Sequence, residues 1–140
     1  MPIKLPKPDT IMLVDDSSFD RKIVQRTVSF TKIFQTILVF ASGPEALDYI
    51  SDNIENPEKL PQLILLDIQM PEMDGFEFLS RVAILPEPLR NSLRFALLSS
   101  TDDLDDIAKA NANPHIIKLM KKPLHPTALL ALLNEHFAME

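Results

Sequence analysis

Leu63-Ile64-Leu65-Leu66-Asp67-Ile68-Gln69-Met70-Pro71-Glu72-Met73-Asp74-Gly75 is the stretch on which the fold of this chain turns. Four apolar residues in succession, closed by Met-Pro and Asp-Gly turn signals, describe a short strand covered on both faces. Strands of that kind belong to parallel sheets, whose crossovers are helices. A carboxylate at the C-terminal tip of such a strand stands where open α/β sheets place their chemistry. Asp67 is therefore the first candidate functional residue.

Outward from this stretch the pattern repeats. Strands are expected over Thr10–Val14, Thr36–Phe40, Leu63–Leu66, Arg94–Leu98 and His115–Met120. Amphipathic stretches between them predict helices over Ser18–Phe30, Pro44–Ile54, Gly75–Leu85, Leu104–Asn111 and Pro126–Phe137. Such an alternation implies βαβ units on one parallel sheet with helices on both sides, an α/β three-layer sandwich. Helix starts have chemical causes: Ser17 or Ser18 suits the first cap, Ser42 or Gly43 the second with Pro44 in its first turn, and Asp74 the third. Asp102 and Asp103 put negative charge at the start of the fourth helix, and His125-Pro126 opens the fifth. Asn53–Gln62 reads as an extended loop and Pro86–Asn91 as a shorter one.

The 140 residues, 46% apolar, suffice for one core and leave no room for a second domain of ordinary size. The folded unit is expected over residues 9–138, with residues 1–8, broken by Pro2, Pro6 and Pro8, as a tail and no output domain. With no cysteine, disulfides and thiolate sites are excluded. A formal charge of −6 argues against binding a phosphate backbone. No apolar run approaches the roughly 18–20 residues that span a bilayer. A cytoplasmic protein, monomeric or weakly dimeric, is the expectation.

Two further strand ends carry charge: Asp15-Asp16 after Ile11-Met12-Leu13-Val14, and Lys122-Pro123 after Ile116 to Lys121. In a doubly wound sheet with right-handed crossovers the first and third strands end together, bringing Asp15, Asp16 and Asp67 into one site. Carboxylates so placed raise one another's pKa unless a cation neutralises them. Magnesium fits, since it accepts one or two carboxylates with waters and a phosphate oxygen. One carboxylate can then attack a phosphoryl donor and become an aspartyl phosphate. Lys122 offers a cation for one phosphoryl oxygen, and Ser99, ending the fourth strand, a hydroxyl for another.

The set Asp15-Asp16, Asp67, Met70-Pro71 with Met73-Asp74-Gly75, Ser99 and Lys122-Pro123 resembles the receiver domain of two-component response regulators. The resemblance covers about residues 9–138. It implies the flavodoxin-like (βα)5 fold of chemotaxis receivers, with parallel strand order 2-1-3-4-5. By the same resemblance Asp67 is the phosphoacceptor, Asp16 a direct magnesium ligand, and Asp15 acts on the metal largely through water. Gln69 gives the metal its backbone carbonyl, Ser99 is the switching hydroxyl, and Lys122 pairs with the phosphate. The implied donor is a histidine kinase or phosphotransfer protein. The implied output surface is the fourth predicted helix, the fifth strand and the fifth predicted helix. One residue departs from the pattern: Leu119 stands where the family often carries an aromatic that swings inward on phosphorylation.

Taken singly these residues have plainer readings. Asp15-Asp16 alone is a strand end and a cap, Lys122 a solvated lysine, Ser99 a turn residue. His115, His125 and His136 share no ligand spacing, and the acidic run Asp102, Asp103, Asp105 and Asp106 lacks the spacing of a calcium loop. Leu129, Leu130, Leu132, Leu133 and Phe137 exceed one apolar stripe, and core packing explains most of them. Two other functions share part of the chemistry. A degenerate receiver would serve as a protein-binding scaffold without using the metal. A phosphohydrolase with an aspartyl nucleophile usually has a second carboxylate two residues further on, where this chain has Gln69, and a substrate cap.

Overall fold

In the computed structural model, which describes residues 4–100 and 104–139, apolar strands and amphipathic helices alternate as the pattern requires. The order is β1 (Thr10–Val14), α1 (Ser18–Thr31), β2 (Thr36–Phe40), α2 (Gly43–Asp52), a 3-10 turn (Pro57–Lys59), β3 (Leu63–Asp67), α3 (Gly75–Val82), α4 (Glu87–Ser92), β4 (Arg94–Ser99), α5 (Leu104–Asn111), β5 (Ile116–Lys121) and α6 (Pro126–His136). The five strands form one parallel sheet of order β2-β1-β3-β4-β5, the flavodoxin-like arrangement.

Two core layers follow from the period-2 alternation of strand side chains. Ile11, Leu13, Leu63, Leu65 and Leu98 face one way and pack on Val24 and Val28 of α1 and Leu129, Leu132 and Leu133 of α6. Met12, Val14, Ile64, Leu66, Phe95 and Leu97 face the other way and meet α2, α3, α4 and α5. Phe78 of α3 meets Phe95 edge-on, with ring centroids 6.3 Å apart. β1 and β3 are buried throughout, as an all-apolar run predicts. The edge strands differ: β2 and β5 are half-buried, with Thr36, Lys118 and Lys121 exposed, because only inner strands are covered on both sides. A register shift between Phe95 and Ala96 makes β5 skip a residue against β4.

Several edges shift by one or two residues, and three segments depart further from the sequence reading. Pro86–Asn91, expected as a loop, is mostly helical: α4 begins behind Pro86, carries Pro88 in its first turn, and buries Leu89. Prolines there mark a helix start, where their missing N–H costs nothing. The third helix stops at Val82, short of the expected Leu85. Within Asn53–Gln62, Pro57–Lys59 makes a 3-10 turn on which the Tyr49 hydroxyl donates to the Lys59 carbonyl. At the start of the chain, Leu5 pairs with Phe137, and its N–H donates to the His136 carbonyl at 2.9 Å.

Caps fall on Ser17, Ser42 and Asp74, whose side chains accept from the N–H groups of Asp20, Glu45 and Glu77. The charges expected from Asp102 and Asp103 lie outside the described residues. The start of α3 holds the turn behind Asp67 in place. Gly75 N–H donates to the Ile68 carbonyl at 2.8 Å. A Cβ at Gly75 would lie 3.0 Å from Ile68 Cα and 3.1 Å from the Asp67 carbonyl oxygen. Those neighbours are backbone and cannot swing aside, so only glycine lets α3 approach the strand end so closely. Gly75→Ala is expected to lower unfolding free energy by about 1–3 kcal/mol in denaturant titration, the cost of overpacking a well-fitted contact.

Candidate functional site

Strand alternation assembles the site before any loop contributes. Asp15 continues the series Ile11-Leu13 and Asp67 the series Leu63-Leu65, so both project toward the face covered by α1 and α6. Lys122 continues that face two residues beyond Met120. Its N–H donates to the Ser99 carbonyl at 2.8 Å, fastening the end of β5 to that of β4. The Thr27 hydroxyl of α1 donates to the Leu124 carbonyl, holding the segment after Lys122 against the helix.

Lys122 Nζ donates to Asp15 Oδ2 at 2.9 Å and to Asp20 Oδ2 at 2.9 Å, and lies 3.4 Å from Asp67 Oδ2. Asp15 is fully buried; its other oxygen accepts from the Ser17 N–H at 3.0 Å. Arg21 Nη1 donates to the Asp15 carbonyl at 2.8 Å, tying α1 to the end of β1. Asp67 is 4% exposed, and its Oδ1 accepts from the Gln69 N–H at 3.3 Å. Burial, reinforced by the charge of Asp15, pushes the Asp67 carboxyl up to about 7 against the opposing pull of Lys122 and the Gln69 N–H. For Lys122, burial disfavours the ammonium, but the bonds to Asp20 and Asp15 and the charge of Asp67 outweigh it and hold its pKa above the ordinary lysine value.

Asp15, Asp16 and Asp67 each offer a carboxylate oxygen, and these lie within 4.8 Å of one another. Asp16 and Gln69 are exposed, so the cluster opens to solvent on one side. A hard divalent ion taking oxygen ligands fits this donor set of carboxylate oxygens. Ser99 is buried at the tip of β4, next to Leu98, the register partner of Asp67. By alternation Ser99 belongs with Leu97 and Leu119, on the face opposite to Asp67. It lines a groove of about 390 Å3 between α5 and β5 with Ile107, Asn111, Leu119 and Lys121. Leu119 is half-buried and packs against the core of that face. The Ser100 hydroxyl donates to Gln69 Oε1 at 3.1 Å.

The response regulator receiver domain model matches residues 11–134. The chain belongs to the response regulator receiver family. It is 32% identical over 117 residues, 84% of this chain and 74% of the other, to a probable methanogenesis regulatory protein of Methanothrix harundinacea. It is 38% identical over 77 residues to the sensor histidine kinase CheAY of Helicobacter pylori, where the match takes 55% of this chain and 9% of that protein. The crystal structure of a two-component response regulator from Cytophaga hutchinsonii superposes with a TM-score of 0.84 at 29% identity, covering 92% of this chain and 96% of that one. Receiver domains generally bind magnesium and work mainly as phosphoacceptor switches. They interact with histidine kinases or phosphotransfer proteins and with downstream effectors. Among the described residues no helix is long and apolar enough to cross a membrane.

Asp20 was not among the residues singled out from sequence. As the third residue of α1 it has the place of an ordinary first-turn acid, and nothing local announces a partner 102 residues away. The elevated Asp67 carboxyl has a consequence for the metal-free protein. Its folded pKa lies above the ordinary 3.8, so between pH 4 and 7 the folded state keeps a proton that the unfolded chain has lost. Stability then falls as pH rises through that window and levels off above it. In chelator, Asp67→Asn is expected to raise the melting temperature over wild type by clearly more at pH 8 than at pH 4. Equal increments at both would mean that the carboxyl titrates in the ordinary range.

Proposed function

We propose that this chain is a phosphorylatable switch in which Asp67 accepts a phosphoryl group from the phosphohistidine of a kinase or phosphotransfer protein. The observation that carries the reading is a nearly buried carboxylate at a strand tip, beside two other carboxylates and 3.4 Å from a lysine ammonium. An Asp67 oxygen attacks phosphorus as the bond from phosphorus to the donor imidazole breaks, and the leaving nitrogen keeps the electron pair. Lys122 takes charge from one phosphoryl oxygen and the Ser99 hydroxyl donates to another, in a site shielded enough for both to count.

Asp16, exposed and adjacent, is the direct metal ligand, with Asp67 and the Gln69 backbone carbonyl. Both oxygens of Asp15 already accept protein hydrogen bonds, which suits a role through water. Bound magnesium supplies charge neutralisation for the carboxylates and the transferred group. The readout runs through Ser99. Its hydroxyl serves the phosphoryl group, while its place in the groove with Leu119 links it to α5 and β5. The surface of α5, β5 and α6 then differs between the two states, and a downstream partner responds by binding them with different free energies. Leu119, lacking a ring, makes a change in this groove the signal in place of a swinging aromatic.

Incubation with a small acyl phosphate and magnesium is expected to add one phosphoryl mass that is lost in base, with the label on Asp67. Asp67→Asn should take none. Lys122→Ala should slow labelling by about 10²- to 10³-fold, the range for removing a donor to a developing oxyanion, and Ser99→Ala by about 10-fold, its hydroxyl being a neutral and weaker donor. No adduct in wild type by intact-mass analysis, or an equal adduct in Asp67→Asn, overturns the reading.

A further inference from the structure

Lys122 is held by more carboxylate than a phosphate-pairing lysine needs. Of its three acidic neighbours, Asp15 and Asp67 belong to the cluster whose oxygens approach within 4.8 Å. Asp20 does not; it stands on α1, in a groove of about 280 Å3 whose walls include Phe19, Ile23, Pro123 and Leu124. An acid in the first turn of a helix is ordinarily there for the helix dipole, and at the third position it commonly turns back toward the cap. Asp20 does otherwise: its backbone N–H meets Ser17 Oγ at 3.2 Å while its Oδ2 reaches across the molecule to Lys122 Nζ at 2.9 Å.

A divalent cation entering among Asp15, Asp16 and Asp67 competes with the ammonium for the Asp15 and Asp67 oxygens, and the two cations repel. Lys122, whose side chain is 14% exposed, cannot simply turn into water. An unpaired ammonium left there carries a heavy desolvation cost. Asp20 gives it one full charge partner outside the metal cluster. We infer that Asp20 is a positioning residue that holds Lys122 clear of the cation pocket, strengthening magnesium binding through Lys122 without touching the ion. The inference rests on the reading of Asp15, Asp16 and Asp67 as a metal site and adds a residue which that reading does not contain.

Magnesium titration of the full chain by calorimetry, arranged as a double-mutant cycle, tests it. Asp20→Asn is expected to weaken magnesium about 5- to 10-fold in the presence of Lys122, and about 2-fold or less in a Lys122→Met background, where only long-range charge remains. Lys122→Gln serves as a second neutral background should Lys122→Met fold poorly, and Asp20→Glu should bind within about 2-fold of wild type if it restores the pairing. An equal loss from Asp20→Asn with and without the lysine, or no loss at all, overturns the inference. Wild type that binds no magnesium at millimolar concentration overturns it together with the metal site. Intact coupling in a protein whose Asp67 takes no label supports it and overturns the phosphoacceptor reading alone.

Discussion

Two carboxylates are buried side by side in this protein, and nearly everything at the functional end of the sheet is arranged around that fact. Asp15 and Asp67 end adjacent parallel strands, on the same face, at the same level. Water does little to separate their charges, and burial has already pushed Asp67 up to about 7. An isolated pair of this kind would relieve its repulsion by keeping a proton. One ammonium between them, delivered by β5 from the far side of β4, keeps the arrangement closed. The register of the whole sheet thus carries an electrostatic requirement: a slip of one residue in β5 would turn Lys122 to the other face and leave the pair uncompensated.

The same alternation divides the labour of the site. Asp15, Asp67 and Lys122 extend the series of core residues beneath α1 and α6, and so the charged chemistry lies under α1. Ser99 extends the opposite series, with Leu97, and meets the groove between α5 and β5. Asp67 and Ser99 are neighbours across a ladder yet belong to different layers. In the proposed switch, a group attached to Asp67 and held by Ser99 would therefore span the sheet at its tip, joining the layer of the charged cluster to the layer bearing the proposed output surface. No long pathway of coupled residues is needed for this step, because a single strand end is shared by both layers.

Much of this was legible in the sequence because short apolar runs, turn dipeptides and caps are local signals. Leu63–Leu66 could hardly be anything but an inner strand, and Asp74-Gly75 marked the start of α3. Where neighbours decide, the sequence spoke less clearly. Pro86-Glu87-Pro88 looked like a loop, yet it starts a helix whose Leu89 is drawn into the core. The skipped residue in β5 leaves no local trace, because Ile116 and Ile117 suit either side of a strand. Asp20 was hidden more deeply, since the role that explains its presence in α1 is sufficient without its partner. A residue with one adequate local reason does not advertise a second.

That second reason changes what Lys122 is. Described by its sequence position, it is a cation waiting for phosphate at a strand end. Described by its contacts, it is already committed at full hydrogen-bond strength to two carboxylates and leans on a third. Charge-assisted bonds of this length are strong, so the lysine does not approach a phosphoryl oxygen as a free donor. In the proposed switch it must exchange one partner for another, and the net gain is the difference between the two. Asp15 is fully buried and fixed by Ser17, whereas Asp20 is about one-third exposed. Water can replace the lysine at Asp20 far more readily than at Asp15. With no cation among the carboxylates, the bond to Asp20 is therefore the one with the lower cost of release; a cation competing for the Asp15 oxygens reverses that order and leaves Asp20 as the ammonium's partner.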